Sequence, residues 1–153
     1  MAKNLFRLLI GSALALSATL LSPSVLASGS TMNVRIWVQG GCSFVTSGDL
    51  IMNFGNLSQG DVTITATTPI SCSNGTQFHI SLSNGLNPNG QQRQMAQQNG
   101  SGRLPYTLTA TPESGQSTGS NVDILLTAKV VQADYQNRPI GQYSDTVTLT
   151  VEP

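Results

Sequence analysis

The sequence predicts an all-β domain built as a two-layer sandwich, and three features carry that reading. Apolar and polar residues alternate through several separate runs, which sets one side of an extended chain against a core and leaves the other in water. These runs are dense in Val, Ile and Thr and stop at Gly, Asn or Pro, the pattern of strands joined by turns. After Cys42 no stretch sustains a helical period.

The N-terminal segment is read first because it does not belong to the fold. Lys3 and Arg7 flank a nearly continuous apolar run over residues 8–21, and Val25, Leu26 and Ala27 supply the small residues of a cleavage site. Residues 1–27 are expected to be a secretory signal peptide. A membrane-spanning helix needs about 20 apolar residues without a breaker, whereas this run is shorter and meets Pro23. Cleavage after Ala27 leaves 126 of the 153 residues, enough for one domain and with no membrane anchor. It also leaves five basic residues against seven acidic ones, a net charge of about −2. The basic residues are scattered, so no nucleic-acid-binding patch is expected.

Residues 28–41 form a short extension ahead of the first cysteine. Met32, Val34, Ile36 and Val38 share one parity and Asn33, Arg35, Trp37 and Gln39 the other, so an extended backbone gathers the four apolar side chains on one face. Fully extended, these 14 residues reach about 46 Å. Alternation alone fits an ordinary first strand folded onto its own sheet as well as a strand that completes a neighbouring molecule. Trp37, on the opposite face, fits either packing on its own domain or a contact between adjacent molecules.

Cys42 and Cys72 are the only cysteines, and both follow the cleavage site into an oxidising compartment. One intramolecular disulfide is expected, with two free thiols or intermolecular bridges as the alternatives. Their wide spacing rules out a CxxC pair, and the single histidine, His79, cannot build a metal site with them. No Ser-His-Asp arrangement and no Gly-rich phosphate loop is visible, so neither catalytic residues nor a cofactor is expected.

The strands follow in order. Residues 43–57 read as a bent first strand, broken at Ser47, Gly48 and Asp49 and resumed by Leu50, Met52 and Phe54. In residues 61–72, Val62, Ile64, Ala66, Ile70 and Cys72 face one way with Thr63, Thr65 and Thr67 opposite, and Pro69 argues for a bulge or an edge. Residues 77–83 turn Phe78, Ile80 and Leu82 inward and His79 outward. The Asn-, Gln- and Gly-rich insertion over residues 84–102 reads as a mobile surface loop, the alternative being a short strand near residues 93–96 that tucks Met95 inward. A fourth strand carries Leu104, Tyr106, Leu108 and Ala110 and ends at Pro112, followed by a Ser-Gly-Gln loop. A fifth, over residues 122–132, turns Val122, Ile124, Leu126, Ala128 and Val130 inward. The sixth, over residues 143–151, turns Val147, Leu149 and Val151 inward. Six strands from Cys42, or seven if the insertion contributes one, each carry one apolar face, as a sandwich requires.

Two segments, MNFGNLS at residues 52–58 and GQYSDTVTLTV at residues 141–151, resemble the spore coat protein U domain family, whose members are subunits of archaic chaperone-usher pili and related bacterial coat fibres. The likeness extends over the whole mature chain and includes SCSNGTQFHISLSNG around the second cysteine, Arg93 with Met95, and Leu104 to Leu108. Its most specific piece is the closing motif of Gly141, Tyr143 and Asp145. The chain departs from the family pattern by ending Val151, Glu152, Pro153 rather than on an aromatic residue, and by lacking a Trp-Gly signal between the fourth and fifth strands.

The resemblance implies an incomplete immunoglobulin-like β-sandwich over residues 42–153 that lacks its C-terminal strand. A hydrophobic groove would stay open beside the last strand, lined by Val147, Leu149 and Val151, and an open groove with a bare edge is an aggregation hazard unless filled. The resemblance further implies donor-strand exchange. A periplasmic chaperone supplies a strand first, and Met32, Val34, Ile36 and Val38 of the neighbouring pilus subunit then replace it. An outer-membrane usher, a place in a cell-surface fimbrium and a part in adhesion or biofilm formation follow from the family. In that family a bridge such as Cys42–Cys72 lies near the base of the donor segment. The competing reading is a secreted monomeric β-sandwich that binds carbohydrate or another ligand through the 84–102 insertion, with the 32–38 strand packed into its own groove.

Overall fold

The computed structural model describes residues 32–153. The expected signal peptide and residues 28–31 lie outside the described residues. The chain divides into two compact units at Ile36 and Trp37, and the sandwich lies in the second, Trp37–Pro153. Residues 32–41 carry no regular secondary structure.

The first strands in chain order are β1 (Cys42–Phe44), β2 (Val62–Cys72), β3 (Gln77–Leu82), β4 (Gln94–Gln97) and β5 (Arg103–Pro105). There follow β6 (Thr107–Thr111), β7 (Ser114–Gln116), β8 (Val122–Val130), the single helical turn α1 (Gln132–Tyr135), β9 (Tyr143–Ser144) and β10 (Leu149–Glu152). One layer is the antiparallel sheet β1-β2-β8-β6, and the other comprises β10-β3-β7 and the small sheet β5-β4-β9. The fold is nearly all β, as the alternation predicts.

Parity explains the core. Ala66 stands opposite Leu126 and Thr68 opposite Ile124 in the β2–β8 register, so the even-numbered residues of both strands share the inner face. Ile70, Ile124 and Leu126 join Phe78 and Ile80 of β3 in one buried cluster, while Leu104, Tyr106 and Val130 form a second. Leu108 packs against both clusters and links them. His79 points outward, as the alternation of β3 requires.

Several segments differ from the sequence expectation, each for a local reason. The bent first strand is reduced to β1. Val45 donates its N–H to the Pro69 carbonyl at 3.0 Å, and beyond it residues 46–58 make no backbone–backbone hydrogen bond among the described residues. Pro69 lies where β1 leaves the edge of β2, so the edge reading holds and the bulge reading does not. The fourth strand breaks at Tyr106, whose N–H goes to the Arg93 carbonyl at 3.1 Å instead of to β8. Its two halves, β5 and β6, therefore belong to different sheets, yet Leu104, Tyr106 and Ala110 all stay buried because both layers face one interior. The sixth strand is split into β9 and β10, since β3 ends at Leu82 and leaves the preceding residues without a ladder partner.

The 84–102 insertion is ordered strand and turn, which corrects its reading as a mobile loop. β4 pairs with β5 and β9, and Met95 packs into the second cluster. Arg93 anchors the insertion by donating from Nε to the Ser83 carbonyl (2.7 Å), from Nη2 to Leu82 (2.9 Å) and from Nη1 to Leu108 (3.2 Å). β7, expected as loop, pairs with β3 because Gly115 admits the Phe78 ring; a Cβ there would stand 2.8 Å from Cζ. The turn α1 is held by Asp61, whose carboxylate accepts the Gln132 N–H at 3.0 Å, and by Tyr135, whose hydroxyl donates to the Gly60 carbonyl at 2.7 Å.

Candidate strand-acceptor cleft

The two layers do not close along one side. Residues 46–58 cross that side with Met52, Phe54 and Leu57 half-buried and Ile51 and Asn53 exposed, the backbone taking positive φ at Gly48 and Gly55. From Ile51 to Gly55 the burial alternates as in a strand, without the ladder of one. Facing it is β10, the terminal strand of its sheet, with β3 on one side and no strand on the other among the described residues. Between them opens a cleft of about 2010 Å³. Its floor is apolar, formed by Leu104, Tyr106, Leu108, Leu126 and Val130, with Val147 and Leu149 on the β10 side.

The two walls run in opposite directions. Met52 packs in the cluster that holds Leu149 and Val151, whereas Phe54 and Leu57 pack in the one that holds Val147 and Tyr143. An extended chain laid between them would be parallel to one wall and antiparallel to the other. Backbone groups on both walls could pair with it, and such groups gain little from pairing only with water.

A family model for the Spore Coat Protein U domain matches residues 29–150. The chain belongs to that family. This Spore Coat Protein U domain is also similar in structure to a chain in the crystal structure of the CsuC–CsuE chaperone–tip adhesion subunit pre-assembly complex from the archaic chaperone-usher Csu pili of Acinetobacter baumannii, with 26% sequence identity and a TM-score of 0.52. The match covers 75% of this chain and 40% of that one, so this domain spans less than half the length of its structural relative. No curated protein sequence matches it.

Within the domain, Cys42 and Cys72 form a disulfide and stand directly opposite each other in the β1–β2 register. Val147, Leu149 and Val151 are half-buried on the β10 side, in contact with the two clusters. Met32, Val34, Ile36 and Val38 are 83–86% exposed, and Trp37 is 91% exposed, which removes packing on its own domain as the reading of that side chain. The closing motif is seated against the insertion. Gln97 Nε2 donates to the Ile140 carbonyl beside Gly141 at 3.0 Å, and the Tyr143 hydroxyl donates to the Pro139 carbonyl at 2.8 Å. Asp145 accepts from the Tyr106 hydroxyl at 2.7 Å and from the Leu86 N–H at 2.9 Å. Burial, and then the neighbouring Asp145 carboxylate, push the Tyr106 phenol well above the ordinary tyrosine range.

Sequence reasoning did not find Tyr106, Leu86 and Ser83 as partners of the last strand. Their bonds join residues far apart in the chain, and only the split of the sixth strand creates the need for them. Among the described residues no group of three or more His, Cys, Asp or Glu side chains could hold a metal ion, and no helix is long and apolar enough to cross a membrane.

Proposed function

We propose that this protein is a structural subunit of a surface pilus or coat fibre, and that its cleft is filled by strand addition. The observation that carries the proposal is a complementary pair: a cleft with an apolar floor between two walls whose facing edges pair with no strand among the described residues, and four alternating apolar side chains, Met32, Val34, Ile36 and Val38, that are 83–86% exposed. Each fills what the other leaves open when the segment of one copy enters the cleft of another. Burying the four side chains is worth about 6–12 kcal/mol in all, before any backbone hydrogen bond is counted. Joints of that strength suit a fibre meant to persist outside the cell.

The structural relative is a chaperone–subunit complex from such a pilus. By that likeness a periplasmic chaperone fills the cleft until a neighbouring subunit does, an outer-membrane usher carries out the exchange, and the finished fibre serves adhesion. The alternative of a self-contained monomer that binds carbohydrate requires the end of that strand to pack on its own domain, and within that domain Trp37 and Val38 are 91% and 86% exposed.

Removal of residues 28–39 tests the proposal. Cys42, the ten strands of the described residues and both walls remain, so the truncated subunit still forms a complex with its chaperone but joins no preceding subunit, as read by native gels of exported material. Polymers of normal length from the truncated chain would contradict the proposal.

A further inference from the structure

The cleft wall on the side of the last strand is held in two different ways. From Leu149 to Glu152 it is β10, laddered to β3. The residues just before it, 145–148, have no strand beside them among the described residues, because β3 ends at Leu82 and the chain turns away into the insertion. One further backbone rung follows, and side chains supply the rest. Ser83 donates its N–H to the Thr148 carbonyl and accepts the Thr148 N–H on its hydroxyl, both at 2.9 Å. Further along, Asp145 uses both carboxylate oxygens, Oδ1 accepting from the Leu86 N–H at 2.9 Å and Oδ2 from the Tyr106 hydroxyl at 2.7 Å. Tyr106 rises from the buried floor of the cleft with 7% exposure, so it ties Asp145 to the core and not only to a loop. The site is built to fit. Gly85 has φ +81°, and a Cβ at that residue would fall on the Asp145 carboxylate.

We propose that Asp145 is a positioning residue for strand addition, a role that rests on the strand-addition reading of the cleft. It holds residues 145–148 extended and at a fixed depth before any donor arrives, so an incoming strand finds both halves of the wall already formed. Hydrogen bonds to a carboxylate are stronger than neutral ones, and ordering a segment in advance removes that cost from the binding step. The insertion thereby acquires a function, since Leu86 within it supplies one of the two donors and β4 pairs with β9 just upstream.

The test uses the mature chain in complex with its chaperone and a synthetic peptide of residues 31–41 as the incoming strand. Wild type takes up the peptide and releases chaperone. Asp145→Ala, which removes both hydrogen bonds to the carboxylate, does so at least about tenfold more slowly, and Asp145→Asn, which keeps an oxygen for the Leu86 N–H, falls between them. Amide exchange, followed without peptide, rises in residues 143–148 of Asp145→Ala and stays at the wild-type level in β10. Should Asp145→Ala give no soluble complex, Tyr106→Phe, which removes one of the two bonds, carries the same expectations at smaller size. Wild-type uptake by these variants, or exchange that rises equally in both halves of the wall, overturns the role given to Asp145. Failure of wild type itself to take up the peptide overturns the strand-addition reading and this role with it, and is distinguished by the unvaried chain being the one that fails.

Discussion

Tyr106 sits where the fourth strand changes sheets, with its ring in the second core cluster and its hydroxyl 2.7 Å from Asp145. Because its phenol pKa is raised in the folded protein, the folded state keeps a proton that the unfolded chain loses near pH 10. The linked stability is fully present below that pH and is lost as the pH rises through the folded value. The denaturant midpoint of the wild-type subunit is therefore expected to fall more steeply above about pH 10 than that of Tyr106→Phe. Equal slopes would show that burial and Asp145 do not hold the phenol proton. At this scale the sequence was legible wherever parity decides orientation: Phe78 inward, His79 outward and Ile124 inward follow from alternation alone. It was silent on Ser83, Leu86 and Arg93, whose partners are set by where strands stop, a property of the packed chain and not of any local run.

At the scale of elements, length separates what could be read from what could not. β2 and β8 sustain their alternation over 11 and 9 residues and were legible to within a residue or two. β5, β7 and β9 have two or three residues each, too few for any period, and α1 is a single turn. Their hydrogen bonds come from neighbours brought up by the larger strands. β1 is as short, but the Cys42–Cys72 disulfide fastens it to the end of β2. Closing a loop of 30 residues constrains the unfolded chain by about 3.5 kcal/mol in the chain-entropy model. Cys42→Ser is thus expected to lower the thermal midpoint and the exported yield of the subunit, while mass spectrometry of unreduced wild type shows the 42–72 link. A Cys42→Ser subunit with wild-type yield and midpoint would mean that the β1–β2 ladder and Phe44 hold this strand unaided.

Across the whole molecule, the family resemblance implied an open groove beside the last strand, and the cleft lies beside β10, whose outer edge carries no strand among the described residues. The unladdered wall was not foreseen. Leu50, Met52 and Phe54 alternate like a strand, so sequence reading made residues 43–57 one bent strand, but a strand needs a partner and among the described residues none pairs with residues 46–58. A donor segment would supply it, turning the 46–58 segment and β10 into neighbours of one inserted strand. The most direct measurement is a comparison of fibre assembly by Ile36→Asp and Arg35→Asp. Both place an aspartate at adjacent residues, Arg35→Asp shifting the charge by two units and Ile36→Asp by one, so the larger charge change falls on the face opposite Met32, Val34, Ile36 and Val38. An unpaired buried carboxylate costs several kcal/mol, as much as the burial of Ile36 contributes, so Ile36→Asp is expected to lose fibres and Arg35→Asp to keep them. Equal assembly by the two variants would contradict the account and show that residues 32–38 are not the strand that fills the cleft.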